Sequence, residues 1–177
     1  LTEPNNEHHF LGHAHDILEQ SYNLSYMSRW IEHYESRLVG QRLTAIGDYI
    51  QSRSDAVRKE FPDPVDFATT SSNPLNVDNA STATLMGRGW INVRNLRLAG
   101  SHQPLDVTWT SATDWQTTIP VDQSTSTVIL EAYDFQDHLI ATDTITIQST
   151  ANNPAVDALR ITEINYHPHP PTAEELA

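Results

Sequence analysis

Cysteine is absent from the 177 residues, which excludes disulfides, thiolate zinc sites and cysteine nucleophiles while leaving the compartment open. Lysine is almost absent as well, Lys59 being the single one. Bases of any kind are scarce, ten Lys and Arg against 23 Asp and Glu, for a net charge of -13. A surface of that sign repels phosphate backbones and anionic lipid, so nucleic acid and membrane surfaces are poor partners. Calcium or basic proteins fit better. Long apolar runs are missing too: with a mean hydropathy of -0.47, no window approaches the roughly 20 apolar residues that a membrane helix needs. The chain also opens on Leu1 without a methionine or a basic and then apolar leader, which sets the expectation of a larger exported protein with any signal segment upstream.

What is present divides unevenly. Residues 1–61 carry nine acids and six bases, and residues 62–177 carry fourteen and four. A length of 177 suits two small units better than one large one. Residues 1–10 are polar and rich in histidine, and read as an extended lead-in. From Leu11 the pattern becomes helical, with Leu11, Ala14, Ile17 and Leu18 at three-to-four spacing. Asn23 is a cap for a second helix, along which Leu24, Met27, Ile31, Tyr34 and Leu38 form one stripe up to Gly40. A third helix runs from about Leu43 with Ile46, Ile50, Val57 and Phe61 on a stripe. Arg53, Arg58 and Lys59 sit toward its C-terminal end, where cations suit the dipole, and Pro62 and Pro64 stop it. Such single-striped helices do not enclose a core of their own, so they are expected to pack on something else.

Pro, Asp, Asn, Ser and Thr crowd residues 62–81, a linker by composition. Beyond it the apolar period switches to alternation. Strands are predicted at Thr82–Met86, with a turn at Gly87–Gly89, around Ile91 to Leu98 with a bulge near Asn95, and at Leu105–Trp109. Others follow at Trp115–Ile119, Val128–Asp134 and Ile140–Ile147, the last two joined as a hairpin through Asp134–His138. The fold class is therefore mainly β: a small antiparallel sandwich of immunoglobulin-like size over 82–150, preceded by two or three short helices. Residues 151–157 read as a second linker, and Leu159–Tyr166 as the opening strand of a further β domain within 151–177.

Three segments carry a resemblance. Tyr26-Met27-Ser28-Arg29-Trp30-Ile31-Glu32-His33-Tyr34 and Tyr49-Ile50-Gln51-Ser52-Arg53 resemble the C-terminal end of a spore-coat CotH-like kinase domain of bacterial exported proteins. The middle of the chain is similar to the immunoglobulin-like modules that follow such domains. Leu159-Arg160-Ile161-Thr162-Glu163-Ile164-Asn165-Tyr166-His167-Pro168-His169-Pro170-Pro171 resembles the first strand and loop of a lamin-tail-type domain. The resemblance implies a secreted or cell-surface parent, either an atypical protein kinase or a non-catalytic relative. Its nucleotide and metal residues would precede Leu1, and none maps onto a position here. No glycine-rich phosphate loop precedes a helix in this chain.

The residues with chemical potential are few. His9 and His13 share a helical face with Asp16 three residues on, beside His8 and His15. This is the nearest approach to a metal site, but Phe10 and Leu11 stand where a zinc-protease helix carries its glutamate. Solvated or hydrogen-bonded residues at a ragged helix start describe them better. Asp106, Asp114, Asp122, Asp134, Asp137 and Asp143 lie near strand ends and turns, where calcium could find oxygens; their spacing matches no EF-hand loop, and turn chemistry accounts for them. Trp90, Trp109 and Trp115 raise the question of a sugar-stacking platform. Alternation assigns Trp109 to the core and leaves Trp115, after a turn, as the candidate ligand contact. The chain thus reads as a non-catalytic structural or spacer module that contacts neighbouring domains, with a glycan- or protein-binding adhesion module as the alternative.

Overall fold

The computed structural model describes residues 3–77, 81–121 and 125–149. Helix α1 spans Pro4–Gln20, α2 Leu24–Glu35 and α3 Thr44–Arg58. The expected lead-in over residues 1–10 is corrected here: the helix starts seven residues before Leu11, with Pro4 in its first turn. Proline fits there because its fixed φ is helical and its missing N–H would have no partner. Helix α2 begins as its sequence indicates, with Asn23 Oδ1 accepting from the Tyr26 N–H at 2.8 Å. The connection to α3 turns at Gly40, whose φ of +80° is left-handed. Helices α2 and α3 pack as a hairpin at Gly47, where a Cβ would meet Leu24 Cδ1 at 3.2 Å.

Eight strands follow among the described residues: β1 Ala68–Thr69, β2 Leu75–Val77, β3 Thr82–Arg88, β4 Asn95–Leu98, β5 Val107–Trp109, β6 Asp114–Pro120, β7 Thr125–Tyr133 and β8 Leu139–Ser149. They form two four-stranded sheets in the orders β1-β3-β6-β5 and β2-β8-β7-β4. The chain is a mainly-β sandwich with three helices before it. Pairing is antiparallel except that β2 runs parallel to β8, Leu75 opposite Ile147 and Val77 opposite Ser149.

Three local expectations are revised. The segment read as a linker contributes an edge strand to each sheet, β1 to one and β2 to the other. Its composition obscured this because two- and three-residue strands leave no room for a period. Gly87 lies inside β3 rather than opening a turn; a Cβ there would run into the Trp115 ring and come within 2.5 Å of the Ala68 carbonyl oxygen, so glycine serves close packing. The register shift falls between Ala132 and Tyr133, not near Asn95, and Ile91 and Val93 are buried in the connection ahead of β4 instead of forming a strand.

The alternation otherwise delivers the core. Leu85, Leu96, Trp109, Trp115, Ile119, Leu130, Ile145 and Ile147 are buried between the sheets, and their outward neighbours, such as Thr84, Thr118 and Thr144, are exposed. Burial of such side chains contributes roughly 1.5–3 kcal/mol each. The sheets are also tied to each other: the Asp143 carboxylate of β8 accepts from both the N–H and the hydroxyl of Thr69 in the edge strand β1, each at 2.6 Å.

Candidate functional site

Connections 89–94, 110–113 and 134–138 gather at one end of the sandwich, because Arg88 pairs with Asp114 and Asn95 with Tyr133. Helix α1 lies across that end. Its first turn places Asn5 Oδ1 3.1 Å from the Trp109 N–H, which donates to it. One turn on, His8 is fully buried and its ring stacks on the Trp109 indole with centroids 3.2 Å apart and planes 9° from parallel. Its Nδ1 meets the Ala112 carbonyl oxygen at 2.7 Å and its Nε2 the Val93 carbonyl oxygen at 2.8 Å. The next turn is Gly12, held so close that a Cβ would lie 2.6 Å from Ile91 O and 2.8 Å from Phe135 Cζ. Beyond it His15 sits edge-on to Trp90 at 4.8 Å, and Trp90 donates its indole N–H to Pro62 O at 2.9 Å. A cleft of about 270 Å³ opens between α1 and the β7–β8 turn, lined by Asp16, Glu19, Asn92, Asp134, Phe135 and Gln136 among others.

Burial sets the electrostatics of this seam. It holds the His8 imidazole below the ordinary histidine value, outweighing the pull of the two carbonyls. Burial also lowers His9, with the His13 and Arg94 charges adding to it. His15 is lowered by burial first, against the favourable charge of Glu19. On the opposite side of the cleft, burial pushes the Asp134 carboxyl up. The His138 and Gln136 N–H groups and the His138 ring together hold it below its usual value.

The residues singled out from the sequence are dispersed by this arrangement. The His13 ring packs edge-on against Phe135 at 4.8 Å, and Asp16 accepts from Gln136 Nε2 at 2.6 Å. Among the described residues no group of three His, Asp or Glu is placed to hold a metal ion, so His9, His13 and Asp16 do not converge. Trp115 is corrected as a ligand contact: it is 1 % exposed, packed with Phe67 in the core. The half-buried tryptophan of the sandwich is Trp90. Acids in the turns are engaged by protein groups, Asp114 by Ser111 and Arg88 and Asp137 by Arg97. Asp122, the strand expected at Leu159–Tyr166 and the nearby His167 and His169 lie outside the described residues.

His8 and Gly12 are the residues that the sequence pattern underplays. The signal is a spacing: His8, Gly12 and His15 share the inward face with Leu11 and Leu18, and His8 carries it one turn further toward the N-terminus. It stays hidden while histidine is counted as polar and glycine as a helix breaker.

No family model matches the chain, and no curated protein matches it in sequence. Fibronectin(III)-like modules of Clostridium thermocellum CbhA are similar in structure, with 10% identity and a TM-score of 0.37 over 49% of this chain and 98% of that one. An SrpA adhesin variant from Streptococcus sanguinis is similar over 51% of this chain and 58% of its own, with 13% identity and a TM-score of 0.32. The class itself, a mainly-β two-sheet sandwich, stands on the pairing and core described above. No helix among the described residues is long and apolar enough to cross a membrane.

Proposed function

We propose that this chain is a non-catalytic structural and spacer module of a secreted or cell-surface multidomain protein. In this reading the helical segment 1–61 packs against an upstream domain of the CotH-like kinase type, and the sandwich connects it to a lamin-tail-type domain beginning within 151–177. The observation that carries the reading is the state of α2: it buries no residue, Leu24, Tyr26, Trp30 and Tyr34 are 39–52 % exposed along it, and Leu38 just beyond its end is exposed as well. Trp and Tyr are the side chains that anchor interfaces. Arg29 lies over the Trp30 ring at 5.9 Å, and Tyr34 stacks alongside Trp30 at 6.4 Å.

The test is hydrogen exchange on this chain alone and on the chain carrying its upstream sequence. Amides of α2 and α3 exchange freely in the first and are protected in the second. Firm protection of both helices in the monomeric chain alone removes the reading. The adhesion reading lost its aromatic contact when Trp115 proved to be core, and rests now on the acidic cleft beside α1. A glycan array and a calcium titration, both blank, dispose of it.

A further inference from the structure

The uncovered side of α2 carries two parallel ridges. Leu24 and Ile31 approach Gly47 of α3. Away from them Tyr26, Trp30, Tyr34 and Leu38 follow at steps of four and are exposed. The helical turn runs on to Leu38, whose N–H donates to the Tyr34 carbonyl oxygen at 3.0 Å. Arg29, His33 and Arg37 follow beside the aromatic ridge at the same step, exposed as well. The carboxylates of α2 lie elsewhere. Glu32 stands roughly 160° around the helix from Trp30, and Glu35 accepts the Leu43 N–H at 3.2 Å. Glu19 of α1 borders a cleft with Tyr26 and Arg29, but Arg58 holds it at 2.8 Å. Among the described residues neither Arg29 nor Arg37 is in an ion pair. The surroundings share this bias: residues 22–61 hold six bases and five acids, against four and eighteen in the rest of the chain. Tyr, Trp, Met and Arg are the side chains enriched at the centres of protein interfaces, where Lys, Asp and Glu are depleted. Met27, half-buried beside the aromatic ridge, completes that set.

We propose, resting on the spacer reading above, that α2 docks on a neighbouring domain of the same chain through an apolar strip edged with carboxylates. The aromatic ridge fills the strip, and Arg29 and Arg37 meet the carboxylates along one side of it. Charge complementarity selects this occupant, since that half of the helix offers cations without a partner and no anion. Two features weigh against a free polyanion such as an acidic polysaccharide or a nucleic acid. The Arg29 guanidinium stands over the Trp30 ring, where a sugar or base would have to stack. A free polyanion also approaches against a net charge of -13. A tethered domain is held close by the chain itself, so its local concentration does not depend on that field.

The experiment is amide exchange along α2 in the chain carrying its upstream sequence, for the wild type and for Arg29→Glu, Arg37→Glu and Lys59→Glu. Each arginine variant is expected to lower α2 protection at least about tenfold, because like charges then face each other across the contact. Lys59→Glu, the same charge change at the end of α3, leaves it unaltered. Raising NaCl from about 0.1 M to about 1 M shortens the screening length from about 10 Å to about 3 Å. It therefore lowers protection in the wild type and raises it in the two arginine variants, a reversal of sign that a merely structural role for these side chains does not produce. Protection in the longer chain that ignores both salt and the arginine changes overturns the carboxylate-edged partner and leaves the spacer reading standing. An α2 that exchanges freely in the longer chain removes both. Binding of the chain alone to polygalacturonate or to single-stranded DNA, lost in Arg29→Glu and Arg37→Glu, also overturns the proposal and makes the partner a polyanion. The wild-type salt response decides the matter even if an arginine variant does not fold.

Discussion

Gly12 is the residue at which two rules of helix energetics oppose each other. In an exposed helix, glycine to alanine stabilises by about 1 kcal/mol because alanine loses less backbone freedom. Here the added Cβ would stand 2.6 Å from the Ile91 carbonyl oxygen, which is backbone and has nowhere to go. Gly12→Ala is therefore expected to destabilise the protein by roughly 1–3 kcal/mol, the usual range for overpacking. A denaturant midpoint that moves upward instead would mean that α1 is not seated against that connection. Histidine shows the same dependence on place. His8 and His13 are five residues apart on one helix, yet the first is sealed and the second is exposed beside Phe135. Composition treats them alike; the surface they meet does not.

Elements differ in how far their sequences commit them. Helix α2 is specified locally, since Asn23 caps it and also donates through Nδ2 to Leu18 O and Glu19 O at the end of α1, both at 3.0 Å. Asn23→Ala is expected to cost about 1 kcal/mol and to loosen the α1–α2 corner, read as lost helical circular dichroism and a lower melting temperature. The long strands β3, β6, β7 and β8 were legible because each buries one face and so alternates. The short edge strands β1 and β2 were not, as two or three residues show no period and their place is set by distant partners, β3 about 20 residues on for β1 and β8 about 70 residues on for β2. Asp143 supplies part of that setting. Burial pushes its carboxyl up, but hydrogen bonds from Thr69 and Thr144 hold it below the ordinary value of 3.8. A depressed carboxylate contributes stability that is present above the ordinary value and is lost as pH falls through the folded one. Asp143→Ala should cost about 1–3 kcal/mol by leaving the Thr69 N–H without its acceptor, and should flatten the stability profile below pH 4 in acid denaturation.

At the scale of the whole molecule, the sandwich class could be read from alternation and turn spacing, whereas the way the helices meet the sandwich could not. Stripes on α2 and α3 announced faces in need of cover, and much of that surface stays open. Periodicity picks up the α1 stripe only from Leu11, because the inward positions His8, Gly12 and His15 are residues that it does not score as apolar. The candidate site lies in that gap: the seam under α1 is built largely from rings, a glycine and backbone carbonyls, with the Asn5 amide at its start.

Under the proposed spacer function, the parallel pairing of β2 with β8 has a mechanical consequence. Tension entering from the helices reaches the sandwich through β1 and β2 and leaves it at the end of β8. Because the two strands run the same way, such a pull draws them in opposite directions along their length. The bonds between Leu75–Val77 and Ile147–Ser149 are then strained together, in shear, and not peeled one after another. Three residues of strand act as a clasp, and the core between the sheets is shielded from the load until that clasp gives way.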